Sequence, residues 1–411
     1  MEQLKVRNFG AIKEADIDIK KYNILIGHTS SGKSIIAKLL SIFNNHSFWS
    51  TLDGDFTAFL RLLEKYNINF PFNDSTLILY QKDSYYWEIK KDHFHSNYND
   101  ADLISSATSE DSYDFILKFI DKKSQDNNFS ELIKSLRKIT SKESESFDKK
   151  DPFYTDFVKP ILLGVIYDKC TPVYIPAERI LISIFSNNIF SLLQAGTNIP
   201  QCIKDFGSLY EKARNINKSI DIDIMNIKIV FSNEEDYVIL KNNDEKIKLT
   251  QASSGIQSII PLWTVFNQFA SNKEKQILVI EEPELNLFPI SQVYLIDWII
   301  KKMRKSKGKI VITTHSPYVL STIDNLIFGY KILAETKDKK TTVAKKIKEI
   351  IPSWSLVNFK EVSSYFFSSD GIVKPIKDND LKTIGAEYID EASDILSFTF
   401  NELCKLEDHE L

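Results

Sequence analysis

The sequence predicts an α/β fold in which a parallel sheet carries its site at the carboxyl edge and a mostly helical subdomain is inserted. Two observations predict it. Continuous apolar runs read as strands buried on both faces: Asn23-Ile24-Leu25-Ile26, Ile277-Leu278-Val279-Ile280 and Lys309-Ile310-Val311-Ile312-Thr313. Each run stops at a polar or glycine-containing cluster and is followed by a helical period. Strands alternating with helices build a sheet whose ligands bind beyond the carboxyl ends of its strands.

In chain order, Leu4, Val6 and Phe9, then Ile17 and Ile19, alternate with polar residues and read as strands. The run ending at Ile26 leads into Gly27-His28-Thr29-Ser30-Ser31-Gly32-Lys33-Ser34. Ile35, Ile36, Leu39, Leu40 and Phe43 then share one face of a helix. Residues 45–170 are richer in Asn, Ser, Asp and Lys and read as the insertion. Helical patterns lie at 56–66 and 132–139, a strand-like stretch at 76–89, and a mixed-charge solvated segment at 121–151.

Pro172-Val173-Tyr174-Ile175-Pro176 returns to a buried strand and is followed by Ala177-Glu178-Arg179. Two alternating strands, 227–231 and 237–240, flank the polar turn Ser232-Asn233-Glu234-Glu235. Thr250-Gln251-Ala252-Ser253-Ser254-Gly255-Ile256-Gln257-Ser258 opens a long apolar helix. The run ending at Ile280 stops at Glu281-Glu282-Pro283-Glu284, an amphipathic helix covers 290–303, and the next strand stops at Thr314-His315-Ser316-Pro317. The expected division is a two-lobed core of residues 1–44 and 171–334, the insertion at 45–170, and a C-terminal α/β extension at 335–411, whose amphipathic stretch 387–406 is expected to pack into a core.

Among 411 residues, 52 Lys and Arg stand against 56 Asp and Glu, a formal charge of −4. The whole chain offers no cationic field, so any nucleic-acid contact is left to a local patch such as the basic stretch 301–309, which also reads as a helix C-terminus. Cys170, Cys202 and Cys404 are far apart and lack C-x-x-C spacing, as expected of reduced thiols in a cytoplasm. Glu2, Lys5 and Arg7 interrupt any export signal, and no apolar run approaches the ~18 residues of a membrane span. His93-Phe94-His95 lacks a third ligand at metal-site spacing, and Glu335 with Asp378-Asn379-Asp380 reads as a polar turn.

Gly27 to Ser34 fits G-x-x-x-x-G-K-[ST] with a strand before it and a helix after. Such a loop wraps backbone N–H groups around phosphates, so Gly27, Ser30, Ser31, Gly32, Lys33, Ser34 and Ile35 are the expected ATP-binding residues. Lys33 would reach the β- and γ-oxygens, and Ser34 would offer its hydroxyl to Mg²⁺. Glu281 is the second expected metal residue, and Glu282 stands where a carboxylate polarises an attacking water. Behind a P-loop and a tandem acid pair, His315 suits a γ-phosphate contact, with a structural hydrogen bond as the alternative. Ser253, Ser254 and Gly255 at a helix start make a second anion-binding surface, with a plain Ser N-cap as the alternative.

This order of motifs resembles the ABC-type ATPase head shared by SMC, RecF and OLD proteins, and more closely the compact ATPases of bacterial anti-phage systems such as PARIS, Septu and retrons. The resemblance implies that Lys33 and Ser34 belong to Walker A, residues 253–257 to a degenerate signature, Glu281 and Glu282 to Walker B, and that His315 is the switch histidine. Glu284-Leu285-Asn286-Leu287-Phe288-Pro289 is similar to that group's Walker B extension, and Tyr174-Ile175-Pro176-Ala177-Glu178-Arg179 also resembles it. Glu281 stands where Asp is usual, Ser254 replaces a glycine, and Gln81 is the candidate for a sensor glutamine.

By the family's geometry, catalytic Lys33, Glu282 and His315 would act in a homodimer joined head to tail through two ATP sites, working beside a separate effector protein. A RecF-like DNA-repair ATPase and a nucleotide-gated scaffold holding a toxin are the alternatives. The insertion is too short for long SMC coiled coils.

Overall fold

The computed structural model describes residues 2–45, 48, 56–97, 172–185, 199–232, 235–270, 276–336, 342–351, 355–385 and 396–404. The patterns at 121–151 and 132–139, Cys170, and residues 387–395 lie outside these. In chain order, the elements begin with β1 (Glu2–Phe9), β2 (Ile12–Asp18), β3 (Tyr22–Gly27), α1 (Lys33–Phe43) and α2 (Phe56–Lys65). Then come β4 (Leu77–Lys82), β5 (Tyr85–Lys90), β6 (His93–Ser96), β7 (Val173–Ile175), α3 (Ile180–Phe185) and α4 (Gln201–Ile216). After them are β8 (Ser219–Ile222), β9 (Ile227–Val230), β10 (Tyr237–Leu240), β11 (Glu245–Lys248), α5 (Ser254–Phe269) and β12 (Ile277–Glu281). The chain continues through α6 (Pro289–Arg304), β13 (Lys309–Thr314), α7 (Pro317–Glu335), α8 (Thr342–Ile350), β14 (Val362–Phe367) and β15 (Val373–Pro375).

The central sheet has six strands in the order β15-β14-β3-β13-β12-β7, all parallel except β15. Its register aligns the site: Glu281 pairs with Thr313, Thr314 with Ile26, and Phe367 with Gly27. The loops after β3, β12 and β13 therefore leave one edge together. Every residue of β12 is buried, as the uninterrupted apolar run requires. Helix α1 buries Ile35, Ile36, Leu39, Leu40 and Phe43 in the core, and each such side chain stabilises the fold by roughly 1.5–3 kcal/mol.

Two antiparallel sheets flank this one. The first has the order β2-β1-β4-β5-β6, so β4 pairs with β1 and brings β5 and β6 into the same sheet, instead of residues 77–96 belonging to a separate insertion. The strand pattern at 76–89 was legible, but its partner was not: the β1–β2 hairpin has an open edge, and a strand that begins only at Leu77 covers it. The second sheet, β11-β10-β9-β8, ends in a short 3₁₀ turn, Leu249–Gln251, that delivers the start of α5.

The expected C-terminal extension also needs correction, because β14 and β15 complete the central sheet. In Val362-Ser363-Ser364-Tyr365-Phe366-Phe367 two serines break the apolar run, yet all six residues are buried. Ser363 Oγ donates to Asn23 Oδ1 at 2.8 Å, satisfying both groups inside the sheet. Within 387–406, the described helix at 396–404 leaves Leu396, Phe398, Phe400 and Leu403 exposed, so the expected core packing does not hold there. No described helix is long and apolar enough to cross a membrane. Neither described cysteine, Cys202 or Cys404, forms a disulfide.

Candidate active site

Strand β3 ends at Gly27, whose φ of 145° and close approach to β14 exclude a side chain: a Cβ there would lie 2.1 Å from the Phe367 carbonyl oxygen. The loop then turns through left-handed Ser30 (φ 60°) and Gly32 (φ 98°) into α1. It is closed by its own groups. Ser31 Oγ donates to the His28 carbonyl at 2.6 Å, and Lys33 Nζ donates to the carbonyls of Gly27 at 2.9 Å and His28 at 2.5 Å. No side chain caps α1, and no acidic residue occupies its first turn, so its N–H groups and positive dipole end are free to meet an anion. Burial pulls the Lys33 ammonium down to about 8, against the opposing pull of Glu282, Glu284 and Glu281.

Glu281, the last residue of β12, is only 3% exposed. Burial pushes its carboxyl up, opposed by Lys38, Tyr174 and Ser34. Its Oε1 and the Tyr174 hydroxyl are both buried without a hydrogen-bond partner among the described residues. An orphaned carboxylate oxygen beside a P-loop hydroxyl fits a hard, oxygen-seeking cation, and Ser34 and Glu281 are the side chains that would hold Mg²⁺. Among the described residues no cluster of three or more His, Cys, Asp or Glu side chains could hold a metal by itself, so the remaining ligands would be phosphate and water.

Glu282 follows in a left-handed conformation (φ 43°) unusual outside glycine, with its amide donating to the Thr313 carbonyl at 2.9 Å. Glu282 Oε1 lies 2.9 Å from His315 Nε2. The bond to His315 draws the Glu282 carboxyl below the usual range, with help from the charges of Lys33 and Arg179 and against partial burial. The backbone of His315 is held in turn by Glu284, whose Oε1 accepts from Thr314 Oγ1 at 2.5 Å and from the His315 amide at 2.9 Å. Burial pushes the Glu284 carboxyl up.

Ser253 is the N-cap of α5, yet its side chain makes no capping hydrogen bond, and Ser253 and Ser254 are both exposed. Gly255 is buried against the turn after Glu282: a Cβ there would lie 2.7 Å from the Asn286 carbonyl oxygen. Its lack of a side chain therefore serves close packing inside the protomer.

The model of the AAA ATPase domain matches residues 1–320. The chain belongs to that family. No curated protein matches this ATPase in sequence. Among solved structures it is similar to the SMC head domain from Thermotoga maritima, with 10% identity and a TM-score of 0.36, covering 78% of this chain and 90% of that one. It is also similar to the Smc head domain with an extended coiled coil bound to the C-terminal domain of ScpA, derived from Pyrococcus furiosus. There the identity is 13% and the TM-score 0.38, covering 97% of this chain and 100% of that one. Its own mostly parallel central sheet and the Gly27–Ser34 loop between β3 and α1 make this family member an α/β P-loop protein.

The structure brings Lys33, Ser34, Glu281, Glu282 and His315 of this AAA ATPase to one sheet edge. Gln81 is not among them: it lies exposed in β4 opposite Gln3, in the antiparallel sheet. His93 and His95 stand exposed on the edge strand β6, and Asp378 Oδ1 accepts from the amides of Asp380 and Leu381 in a polar turn. Two residues gained roles that the sequence did not announce. Glu284 positions the His315 backbone, and Arg179 is a fully buried charged group behind the acidic turn.

Proposed function

We propose that this AAA ATPase hydrolyses ATP at the P-loop by in-line attack of water, working as a homodimer that regulates a separate effector protein in anti-phage defence. The observation that carries the chemical part is the Glu282–His315 pair, 2.9 Å apart and one residue beyond the buried Glu281. Glu282, kept ionised by His315, orients the water and takes its proton as oxygen attacks the γ-phosphorus and the bond to the ADP oxygen breaks. Lys33 neutralises charge on the β- and γ-oxygens, and His315 faces the γ-phosphate. Mg²⁺, held by Ser34 and Glu281, would supply further charge neutralisation on the phosphates.

One feature supports a homodimer: at the start of α5, Ser253 and Ser254 are exposed and the Ser253 side chain makes no capping hydrogen bond. The role in defence rests on the resemblance in motif order. A DNA-binding role draws less support, since Lys302 is tied to Asn267 at 2.7 Å and Lys309 to Glu2. A scaffold reading with little turnover is favoured by one observation, the burial of the Glu281 carboxyl, which disfavours its ionised form.

ATP turnover and light-scattering mass of the wild type, Lys33→Ala and Glu282→Gln decide between these readings. Turnover that is lost in both variants, with a larger ATP-dependent species trapped by Glu282→Gln, supports the hydrolytic dimer. ATP binding without turnover or mass change supports the scaffold.

A further inference from the structure

Arg179 stands just after β7, fully buried, and every nitrogen of its guanidinium is engaged. Nε donates to the Ser258 carbonyl at 3.2 Å; Nη1 donates to the carbonyls of Pro176 at 3.2 Å and Glu281 at 2.8 Å; Nη2 donates to those of Glu282 at 2.8 Å and Pro283 at 3.3 Å. A buried arginine ordinarily answers a carboxylate. Here its hydrogen bonds go to main-chain carbonyls, three of them consecutive in the turn that holds Glu282 left-handed, while the carboxylates of Glu281, Glu282 and Glu284 lie close enough to favour its charge.

The Ser258 carbonyl matters most among these acceptors, because Ser258 belongs to the opening turns of α5. The same segment reaches α5 again through Ser183, whose hydroxyl donates to the Gln257 carbonyl at 2.7 Å. On the rim, Gly255 abuts Asn286 with no side chain between them. The start of α5 and the Glu282 turn are therefore joined twice, at the rim by direct contact and inside through one planar group that cannot serve both after either moves.

We propose that Arg179 is a positioning residue that locks the start of α5 to the Glu281–Glu282 turn, so that a phosphate meeting Ser253 and Ser254 changes the aim of the Glu282 carboxylate. This rests on the ATPase reading above and extends it. In a head-to-tail dimer, α5 faces the partner's nucleotide while Glu282 faces its own, and Arg179 makes each site sense the other.

The test uses the full chain with Arg179→Met, which removes the fork at similar length, and Arg179→Lys, which keeps the charge in case the first does not fold. Steady-state ATP turnover, binding of a fluorescent ATP analogue, and amide exchange over 254–258 and 281–286 with and without ATP are measured. The expected result is a fall in kcat of at least tenfold for Met and a smaller one for Lys, with analogue affinity within about twofold because the P-loop is untouched. ATP slows exchange in both segments of the wild type together, and in Arg179→Lys it slows at most one. Unchanged kcat, a loss confined to nucleotide affinity, or both segments still responding together in Arg179→Lys overturns the proposal. Should the wild type bind ATP without turning it over, the hydrolytic reading fails, and the exchange pattern alone decides whether Arg179 couples the two segments.

Discussion

The P-loop and the start of α5 are built from the same parts: a helix N-terminus, hydroxyls, a glycine, and no acid in the first turn. Their surroundings differ. Lys33 is buried and already bonded to two carbonyls of its own loop, and Ser31 closes on His28. Ser253 and Ser254 are exposed, their helix carries no cation in its first turn, and Gly255 is occupied by Asn286. One surface is complete within the protomer. The other offers hydrogen bonds but no charge, so it can add to an anion held by something else but is poorly made to capture one alone. That asymmetry fits the proposed site shared between two copies.

The largest effect should come from the complete surface. Lys33→Ala removes the cation and opens the loop it closes, and ATP binding measured by calorimetry should fall roughly 100-fold or more. The next effect separates binding from chemistry. Glu282→Gln keeps size and hydrogen bonding but removes the base, so turnover should fall on the order of 10²-fold or more with ATP affinity retained. If both variants lost binding equally, the division of labour along this sheet edge would be wrong.

A pH profile sharpens the same contrast. The Lys33 ammonium titrates at about 8 in the free protein, so its charged form is disfavoured by folding. The unfolded chain holds that proton up to about 10.4, and stability of the free protein therefore rises with pH between these two values. Nucleotide affinity moves the opposite way, because bound phosphate needs the charged form. ATP affinity should fall roughly tenfold for each pH unit above 8, and a Lys33→Met variant should lack this dependence. An identical slope in Lys33→Met would assign the titration elsewhere.

How far each surface could be read from the sequence follows the same division. The P-loop was legible because its parts are contiguous, and β12 and β13 because their runs are apolar throughout. Strand β14 was not, since Ser363 and Ser364 are polar: Ser363 is at home there through its bond to Asn23, and the Ser364 hydroxyl is buried without a hydrogen-bond partner among the described residues. The stretch 76–89 showed a strand-like pattern but not the pairing of Leu77–Lys82 with β1, which is a long-range choice. Arg179 stood in a quoted stretch without a role, because its acceptors are backbone carbonyls up to about a hundred residues away and carbonyls carry no sequence mark.

Gly255 tests the link between the two surfaces more gently. In Gly255→Ala the new Cβ meets the Asn286 carbonyl oxygen, so backbone must give way, and the melting temperature should fall by the equivalent of about 1–3 kcal/mol. Turnover should fall with it, because the displaced loop begins at Glu282. ATP affinity of the isolated protomer should hold, since the P-loop does not touch that contact. A variant that lost affinity but kept its stability would place Gly255 on the nucleotide and not on Asn286.

The smallest expected effect concerns Ser253, and its smallness is informative. Removing a serine N-cap that bonds the helix usually costs about 1 kcal/mol. The Ser253 hydroxyl makes no such bond, so Ser253→Ala should change thermal stability by less than about 0.5 kcal/mol. If the hydroxyl instead serves a nucleotide held by a second copy, the same variant should raise the ATP concentration needed for the light-scattering dimer while leaving ATP binding to the monomer unchanged. A stability loss of ordinary N-cap size with unaltered dimerisation would return Ser253 to the plain role of starting a helix, and would leave the P-loop as the single candidate phosphate surface among the described residues.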